Sequence, residues 1–457
     1  MMAECRRLSR RTFMKGIALS VGAGLSPLGA CSPSQQVRPN AAQRPNIVFI
    51  IADDLGWADV GYNGSRIRTP NIDRLAAEGV RLNQHYVMPT CTPTRVGLMT
   101  GRYPSRYGVL SPAYGRIFDE GTITLAEALR RGGYRTAISG KWHMGSPPEC
   151  VPTKFGFESS YGYMDGQIDP YTHLYKTGAK SWHRDDVFIE EEGHATDLIT
   201  DEAIRLIRTK GEAPLFLYAA YSVPHYPLDE PRRWVDMYAD IADESRRWYA
   251  ASVTHMDAQI GRIVKAIDDA GLRENTLIVF VSDNGGQKSW QSATEYGGDY
   301  SDRPHTVLGD NRPLRGWKGD VFEGGIRVPG LLNWRGRLKP GQCDGPMHIV
   351  DWMPTLCRVA GVQPTEDLDW DGKDVWGAIA AGQSRQPRTL YWKTPGAYAV
   401  RVGEWKLITN RQFAKPMLFD LANDPLEEND RAAGQTDRVA EMIKTLKAIA
   451  AKDRDRQ

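Results

Sequence analysis

Polar side chains that could carry chemistry follow four short apolar runs of this 457-residue chain. They are Asp53, Asp54, Lys141, His143, His225, Asp283 and Asn284. Carboxylate and amide oxygens without a cluster of His and Cys suit Ca²⁺ or Mg²⁺ and do not suit zinc. Asp53 and Asp54 can bind one ion only where the strand has turned into a loop, a bend that Gly56 permits. The sequence therefore predicts a hard-cation site at Asp53, Asp54, Asp283 and Asn284.

Cys91 opens the segment Cys-Thr-Pro-Thr-Arg at the start of a predicted helix, with Arg95 one turn further on. Backbone N–H groups and the dipole at a helix N-terminus favour negative charge. Cys91 could thus be a thiolate nucleophile with a histidine base, or it could face an anionic substrate. Lys141 and Lys318 favour the second interpretation, because a thiol protease needs neither a divalent ion nor two lysines. Together these residues indicate a pocket for a tetrahedral oxyanion.

The four apolar runs must place these side chains at one sheet edge. They span 45–54, 134–143, 213–225 and 275–286. Unbroken apolar runs are typical of parallel strands buried on both faces, and predicted helices lie between them. The predicted helices span 69–80, 124–133, 195–209 and 246–271. This alternation predicts an α/β fold with a large, mostly parallel sheet, whose ligands bind beyond the carboxyl ends of the strands.

The pattern changes near residue 365, where short runs separated by Gly turns predict antiparallel strands followed by a C-terminal helix. We expect a catalytic α/β domain at 44–364 and a small α+β subdomain at 365–457. Cys150, Cys343 and Cys357 allow at most one disulfide among themselves. The net charge of +2 gives no reason to expect a nucleic-acid partner.

The first 43 residues have the features of an export signal. Ser-Arg-Arg-Thr-Phe-Met-Lys at 9–15 precedes an apolar run, and Leu-Gly-Ala-Cys at 28–31 resembles a bacterial lipobox. We expect 1–43 to be a twin-arginine leader and linker that directs the chain to the periplasm or the outer membrane of a bacterium. A lipid on Cys31 would be the only membrane contact, and a plain cleaved signal is the alternative.

The segment CTPTRVGLMTGRYPSRYG, at 91–108, resembles the signature of type I sulfatases. Other segments between 44 and 432 are similar to further blocks of that family in the usual order. They are ADDLGWADVGYNG, RTPNIDRLAAEGV, GKWHMG, VPHYP, SDNGG and LFDLANDP. The segments at 64–80, 149–166 and 311–325 look closest to the arylsulfatase B, or N-acetylgalactosamine-4-sulfatase, branch. Thr94 departs from the commonest form, which has Ser, but it keeps the hydroxyl.

The resemblance implies an alkaline phosphatase-like fold and a formylglycine-dependent mechanism. A maturation enzyme would oxidise Cys91 to Cα-formylglycine, whose hydrated aldehyde attacks a sulfate ester and forms a covalent sulfoenzyme intermediate. The implied catalytic residues are Cys91, Arg95, Lys141, His143, His225 and Lys318. The implied ligands of one divalent cation, with Ca²⁺ preferred to Mg²⁺, are Asp53, Asp54, Cys91, Asp283 and Asn284.

The implied substrate is a sulfated oligosaccharide or polysaccharide with 4-sulfated galactose or N-acetylgalactosamine units. Two alternatives stay open: a formylglycine-dependent phosphonate or phosphodiester hydrolase of the same fold, and a catalytically dead glycan-binding surface protein. Four aromatic residues are candidates for a sugar subsite, whereas His85 and His255 are interpreted as structural. The aromatic candidates are Trp57, Trp182, Trp290 and Tyr296.

Overall fold

The four apolar runs form four neighbouring strands of one large sheet. They are β1 (Asn46–Ala52), β4 (Arg135–Lys141), β8 (Leu215–Ala220) and β9 (Thr276–Ser282). β1 pairs in parallel with β8 and with β9, and β8 pairs in parallel with β4. The carboxyl ends of all four strands therefore lie at the same edge, as the sequence predicts.

A computed structural model describes residues 44–209, 211–289, 308–382 and 387–455. The predicted leader at 1–43, including Cys31, lies outside the described residues, as do Trp290 and Tyr296. Among the described residues, no helix combines the length and the apolar composition that crossing a bilayer requires.

Six shorter strands extend the sheet on both sides. They are β2 (Val80–Leu82), β5 (Ser159–Tyr163), β6 (Trp182–Arg184), β7 (Val187–Phe188), β10 (Gly330–Asn333) and β11 (Gly341–Cys343). In the described chain the order is β11-β2-β10-β9-β1-β8-β4-β5-β6-β7. β10 pairs antiparallel with β9, and β6 pairs antiparallel with β5. The sheet is thus parallel at its centre and mixed towards its edges.

Helices cover both faces of the sheet, because the side chains of β1 alternate between two buried apolar clusters. Phe49 lies in the cluster built with α2, α3 and α8, and Ile50 lies in the cluster built with α1, α4 and α6. The helices are α1 (Pro70–Ala77), α2 (Cys91–Thr100), α3 (Leu125–Arg131), α4 (Ala195–Arg208), α5 (Arg232–Val235), α6 (Glu244–Asp269), α7 (Glu323–Ile326), α8 (Trp352–Val359), α9 (Trp376–Ala380) and α10 (Thr436–Ala450). This layering confirms the predicted α/β fold class.

The C-terminal part forms the predicted small antiparallel sheet. Its strands are β13 (Thr389–Lys393), β14 (Ala397–Val402), β15 (Trp405–Asn410) and β16 (Met417–Asp420), and α10 follows them. A short pair, β3 (His85–Tyr86) and β12 (Met347–His348), is separate from both sheets. Trp392 and Phe419 of the small sheet share an apolar cluster with Val321 and Ile326, close in sequence to Lys318. The domain boundary between residues 364 and 365 stays a prediction.

Candidate active site

The polar residues that follow the central strands lie within hydrogen-bonding distance of one another. Lys141 Nζ donates to Asp53 Oδ2 at 2.5 Å, which links the ends of β4 and β1. Asn284 Nδ2 donates to Asp54 Oδ1 at 2.7 Å, and the Asp54 N–H donates to Asp283 Oδ1 at 3.1 Å. All five side chains are buried. The predicted convergence at one edge is therefore present.

The bend that lets both aspartates face one site occurs at Asp54 itself. Asp54 has φ +70°, in the left-handed region that Asp tolerates better than most residues. Gly56, predicted to permit this bend, has an ordinary φ of −69°. A Cβ at Gly56 would lie 2.4 Å from the Asp310 carbonyl oxygen. The prediction that Gly56 permits the bend was therefore wrong. Glycine is needed at position 56 because the backbone of Asp310 approaches it closely.

The four predicted oxygen ligands fit a hard divalent cation. Asp53 Oδ1 and Asn284 Oδ1 are buried and accept no hydrogen bond in the described structure. Ligand atoms of Asp53, Cys91 and Asp283 all lie within 4.8 Å of one another. Ligands about 2.3–2.6 Å from a Ca²⁺ ion can lie up to about 5 Å apart. The unpartnered oxygens and this spacing are those expected of residues that share one ion.

Asp53 and Asp54 differ in their electrostatic surroundings. Burial raises the pKa of Asp53 well above its usual value, and Lys141 only partly offsets that effect. Burial alone would also raise the pKa of Asp54, but Lys318 and His225 outweigh it and bring the pKa to about 2. Asp54 is thus anionic within the protein alone, whereas Asp53 needs further positive charge nearby to stay ionised. A divalent cation supplies such charge.

Cys91 begins α2, a helix whose ten residues are all buried. Its Sγ lies 3.3 Å from His143 Nδ1. Burial raises the pKa of the Cys91 thiol, although Lys141 and Lys318 act in the opposite direction. The unmodified side chain is therefore a protonated thiol, which disfavours the thiolate-nucleophile interpretation. The Thr94 hydroxyl supports the turn before the helix, because it accepts from the Met88 N–H at 3.0 Å.

Arg95 holds the base of the site together. Its Nη2 donates to Asp283 Oδ2 at 2.8 Å, and its Nη1 donates to the Lys141 carbonyl oxygen and to Tyr218 Oη, both at 3.2 Å. The guanidinium is fully buried, so these bonds replace the water that it loses. Arg95 thus fixes the orientation of a predicted metal ligand, one helical turn from Cys91.

The two site histidines are neutral. Burial, with Lys141 and Arg95, holds the pKa of His143 well below its usual range. Burial and then Lys318 lower the pKa of His225 to about 3. The contact between His225 Nδ1 and the Tyr226 carbonyl oxygen, at 2.5 Å, requires a proton on Nδ1. Nε2 of His225, which lies 3.8 Å from Asp54 Oδ2, is therefore the unprotonated nitrogen.

Lys318 reaches the site from the loop that follows residue 308. The Lys318 N–H donates to the Gly286 carbonyl oxygen at 3.2 Å, and the Gly319 N–H donates to the Pro89 carbonyl oxygen at 2.8 Å. These bonds tie the loop to the segments that carry Asn284 and Cys91. Burial alone would lower the pKa of Lys318, but Asp54 outweighs it and raises the pKa, so the ammonium keeps its proton.

Sequence reasoning missed several residues that support the site. Ser282 Oγ accepts from the Leu55 N–H at 2.9 Å, and Asn311 Oδ1 accepts from the Gly286 N–H at 2.7 Å. A Cβ at Gly166 would lie 2.6 Å from His143 Nε2, so only glycine leaves room for that ring. Of these supporting residues, Tyr218 could have been found from the sequence, because its hydroxyl is a polar group within an apolar strand.

Other residues considered in the sequence lie outside this cluster. Trp182, a candidate for either a sugar subsite or packing, is buried and stacks on His173 at 4.5 Å, so the structure supports packing. His85 accepts from Trp352 Nε1 at 3.0 Å, and His255 contacts Glu230, so both lie in polar contacts away from Cys91 and their structural role stays a prediction. The remaining described cysteines are buried, and they form no disulfide with one another. They are Cys150, Cys343 and Cys357.

Comparison with known proteins identifies the class of enzyme. Residues 45–362 match the sulfatase family model. The chain is 35% identical to arylsulfatase J of Mus musculus over 85% of this chain and 69% of that protein. It is 32% identical to N-acetylgalactosamine-6-sulfatase of Mus musculus, over 83% of this chain and 76% of that protein. The chain therefore belongs to the sulfatase family and is a sulfatase, as the sequence predicts.

A solved structure shares the whole architecture. It is Ps i-CgsB in complex with k-i-k-neocarrahexaose, and it superposes with a TM-score of 0.79 at 30% identity. The superposition covers 90% of this chain and 94% of that one. The alkaline phosphatase-like fold is thus confirmed. The arylsulfatase B branch and the roles of the individual site residues stay predictions.

Proposed function

We propose that this sulfatase removes sulfate from glycans containing 4-sulfated galactose or N-acetylgalactosamine units, with a formylglycine at position 91. One observation carries the proposal: Cys91 Sγ lies within 4.8 Å of ligand oxygens of Asp53 and Asp283 and 3.3 Å from His143. A nucleophile formed at that position meets a cation site, two lysines and a histidine at once. One similar protein is an N-acetylgalactosamine-6-sulfatase and another was solved in complex with k-i-k-neocarrahexaose, and these names support a glycan substrate. The 4-position rests on the resemblance to the N-acetylgalactosamine-4-sulfatase branch.

Formylglycine and a divalent cation would supply the reactive chemistry. A hydrated aldehyde made from Cys91 would offer one hydroxyl for attack on sulfur and a second through which sulfate leaves, and a bound Ca²⁺ or Mg²⁺ would act as a Lewis acid. The four oxygen ligands that would hold the cation are Asp53, Asp54, Asp283 and Asn284, with position 91 as a fifth. The number of protein ligands supports Ca²⁺ as the preferred ion, because Mg²⁺ usually keeps several waters and binds only one or two carboxylates.

Side chains of the protein handle protons and charge. His143 Nδ1 is close enough to position 91 to accept a proton from the hydroxyl there. Lys318 keeps its proton beside Asp54 and can donate to the leaving oxygen. His225 lies beside the same carboxylate. A bound sulfate anion would raise the pKa of the His225 imidazole. Lys141 and Arg95 keep the carboxylates oriented and offset their charge.

Substitution at position 91 tests the mechanism. Cys91→Ala should lower turnover of 4-nitrophenyl sulfate at least about 10³-fold without loss of fold, since no nucleophile remains. Cys91→Ser should give a single stoichiometric burst and a sulfated protein by intact mass spectrometry, because serine has no second hydroxyl. Retention of most of the activity by Cys91→Ala would contradict the proposal. So would an unmodified Cys91 thiol in fully active protein.

A substrate panel tests the glycan and the two alternative functions. Release of sulfate from 4-sulfated chondroitin disaccharides and carrageenan oligosaccharides should exceed release from 6-sulfated chondroitin disaccharides. Faster turnover of phenyl phosphonate esters than of 4-nitrophenyl sulfate would favour the phosphonate hydrolase. Binding of these glycans without turnover by formylglycine-bearing protein would favour the non-catalytic surface protein.

Export belongs to the same proposal. The twin-arginine segment at 9–15 and the lipobox-like segment at 28–31 support a periplasmic or outer-membrane lipoprotein anchored through Cys31. Labelling with a radioactive or alkynyl fatty acid in a bacterial host tests the anchor, with Cys31→Ser as the unlabelled control. Equal labelling of both proteins would contradict it.

A further inference from the structure

Two tyrosines form a wall beside His143, with Tyr114 exposed and Tyr175 half-buried. The Tyr114 ring centroid lies 6.2 Å from that of His143, and Tyr114 is 51% exposed. The Tyr114 and Tyr175 hydroxyls lie 2.8 Å apart, and their ring centroids are 6.4 Å apart. Because His143 contacts Cys91, a molecule held against Tyr114 is only one side chain away from the proposed nucleophile.

The wall is built on braced loops. The Gly115 N–H donates to Ser146 Oγ, and the Ser146 N–H donates to the Gly115 carbonyl oxygen, both at 3.2 Å. Tyr175 begins a turn that its carbonyl oxygen closes by accepting from the Gly178 N–H at 2.7 Å. An exposed aromatic ring on a braced loop costs little ordering entropy when a ligand binds.

A charged group extends this surface. Lys176 Nζ lies 5.8 Å from the centroid of the Tyr175 ring. A flat aromatic surface stacks well on the C–H face of a sugar ring, and a neighbouring ammonium attracts an anionic substituent. A polysaccharide with sulfated or carboxylated units offers both features along one chain. A small aryl sulfate offers only the ring.

We propose that Tyr114 forms a carbohydrate subsite whose ring stacks on a pyranose ring of the sulfated glycan, while Tyr175, tilted by 60° to it, holds the Tyr114 hydroxyl. Lys176 then contacts an anionic group on the adjacent sugar unit. This inference rests on the proposed function and adds to it the place where the sugar binds. Because His143 and Cys91 are buried and Tyr114 is exposed beside them, a sugar whose sulfate reaches position 91 would lie against Tyr114.

Steady-state kinetics with a sulfated carrageenan tetrasaccharide test the subsite. Tyr114→Ala should raise KM about tenfold, whereas Tyr114→Phe should stay within about twofold of the unsubstituted enzyme because it keeps the ring. The inhibition constant of inorganic sulfate should change in neither variant, since sulfate does not reach the wall. Tyr171→Ala is the matched control, because Tyr171 is also exposed but packs against His194.

The salt dependence of KM tests Lys176. Lys176→Gln should flatten the rise of KM with salt for the tetrasaccharide and leave 4-nitrophenyl sulfate unaffected. An unchanged tetrasaccharide KM in Tyr114→Ala would overturn the subsite, and so would an equal loss of sulfate inhibition, which indicates general damage. Failure of the unsubstituted enzyme to desulfate any glycan while it hydrolyses 4-nitrophenyl sulfate would instead overturn the proposed function.

Discussion

Lys318 Nζ donates a hydrogen bond of 2.7 Å to Asp54 Oδ2, although 264 positions separate the two residues. Asp54 is a predicted cation ligand, and Lys318 is a predicted partner of the leaving oxygen. The Asp54 carboxylate is therefore shared between Lys318 and the predicted cation. Removal of the lysine should affect chemistry and cation binding in different ways.

Lys318→Gln should lower kcat for 4-nitrophenyl sulfate about 100-fold or more, because the charge that forms on the leaving oxygen loses its donor. The affinity for the cation should not fall, because Lys318 no longer competes with the cation for the Asp54 carboxylate. Calorimetric titration with Ca²⁺ measures the second effect. Lys265→Gln is the control, because that lysine pairs with Asp269 on the exposed surface of α6. Equal losses of kcat and Ca²⁺ affinity would show that Lys318 only supports the metal site.

Cation binding should stabilise the fold through the buried carboxylates. After chelation with EDTA, added Ca²⁺ at about 100 times its Kd should raise the free energy of unfolding by about 2.7 kcal/mol, which raises Tm by a few degrees. Asp283→Asn should abolish this Ca²⁺-dependent rise, whatever its own baseline Tm. Asp269→Asn, at an exposed position, should keep it. A rise that persists in Asp283→Asn would place the ion elsewhere.

The sequence predicted the strand ends well for a physical reason. Strands buried on both faces must be continuously apolar, so the first charged residues mark where each strand reaches the sheet edge. Asp53, Lys141 and Asp283 could be assigned in this way. The bend at Asp54 could not, because its φ depends on contacts of Asp54 with Asp283 and of Asp53 with Val223, which are distant in sequence.

Residues whose roles depend on contacts distant in sequence were not predicted. Gly166 is one glycine among 45, and nothing near it in the sequence shows that His143 lies against it. Tyr114 is in a loop whose position depends on Ser146. The edge strands, such as β7, are too short to show a repeating pattern of apolar residues. The antiparallel strands at the sheet edges were therefore also not predicted.

Gly166 gives a test of how closely His143 is positioned. A Cβ there would lie 2.6 Å from both Cε1 and Nε2 of His143, so Gly166→Ala should displace the ring from position 91. We expect kcat to fall about 10- to 100-fold with little change in KM or Tm. Gly377→Ala, which meets open space in α9, should change none of the three. A normal kcat in Gly166→Ala would show that catalysis does not depend on the ring position.

His255 should make stability depend on pH. Its Nδ1 lies 2.6 Å from Glu230 Oε2, and its Nε2 lies 3.3 Å from Asp197 Oδ1. Burial alone would lower the pKa of His255, but the two carboxylates outweigh it and raise the pKa to about 9. Because this folded-state pKa exceeds the unfolded value near 6.5, protonated His255 stabilises the fold fully below about pH 6.5. That stabilisation, about 3 kcal/mol, is lost as the pH rises through about 9.

Urea unfolding between pH 6.5 and pH 9 measures this loss. Neighbouring His194 has a pKa lowered by burial, so it is neutral in the folded protein across this window. The double variant His255→Gln/Glu230→Gln keeps a neutral hydrogen-bonding pair. Between pH 6.5 and pH 9 the free energy of unfolding of the unsubstituted protein should fall by about 3 kcal/mol more than that of the double variant. Parallel pH profiles for the two proteins would show that His255 is not protonated in the folded state.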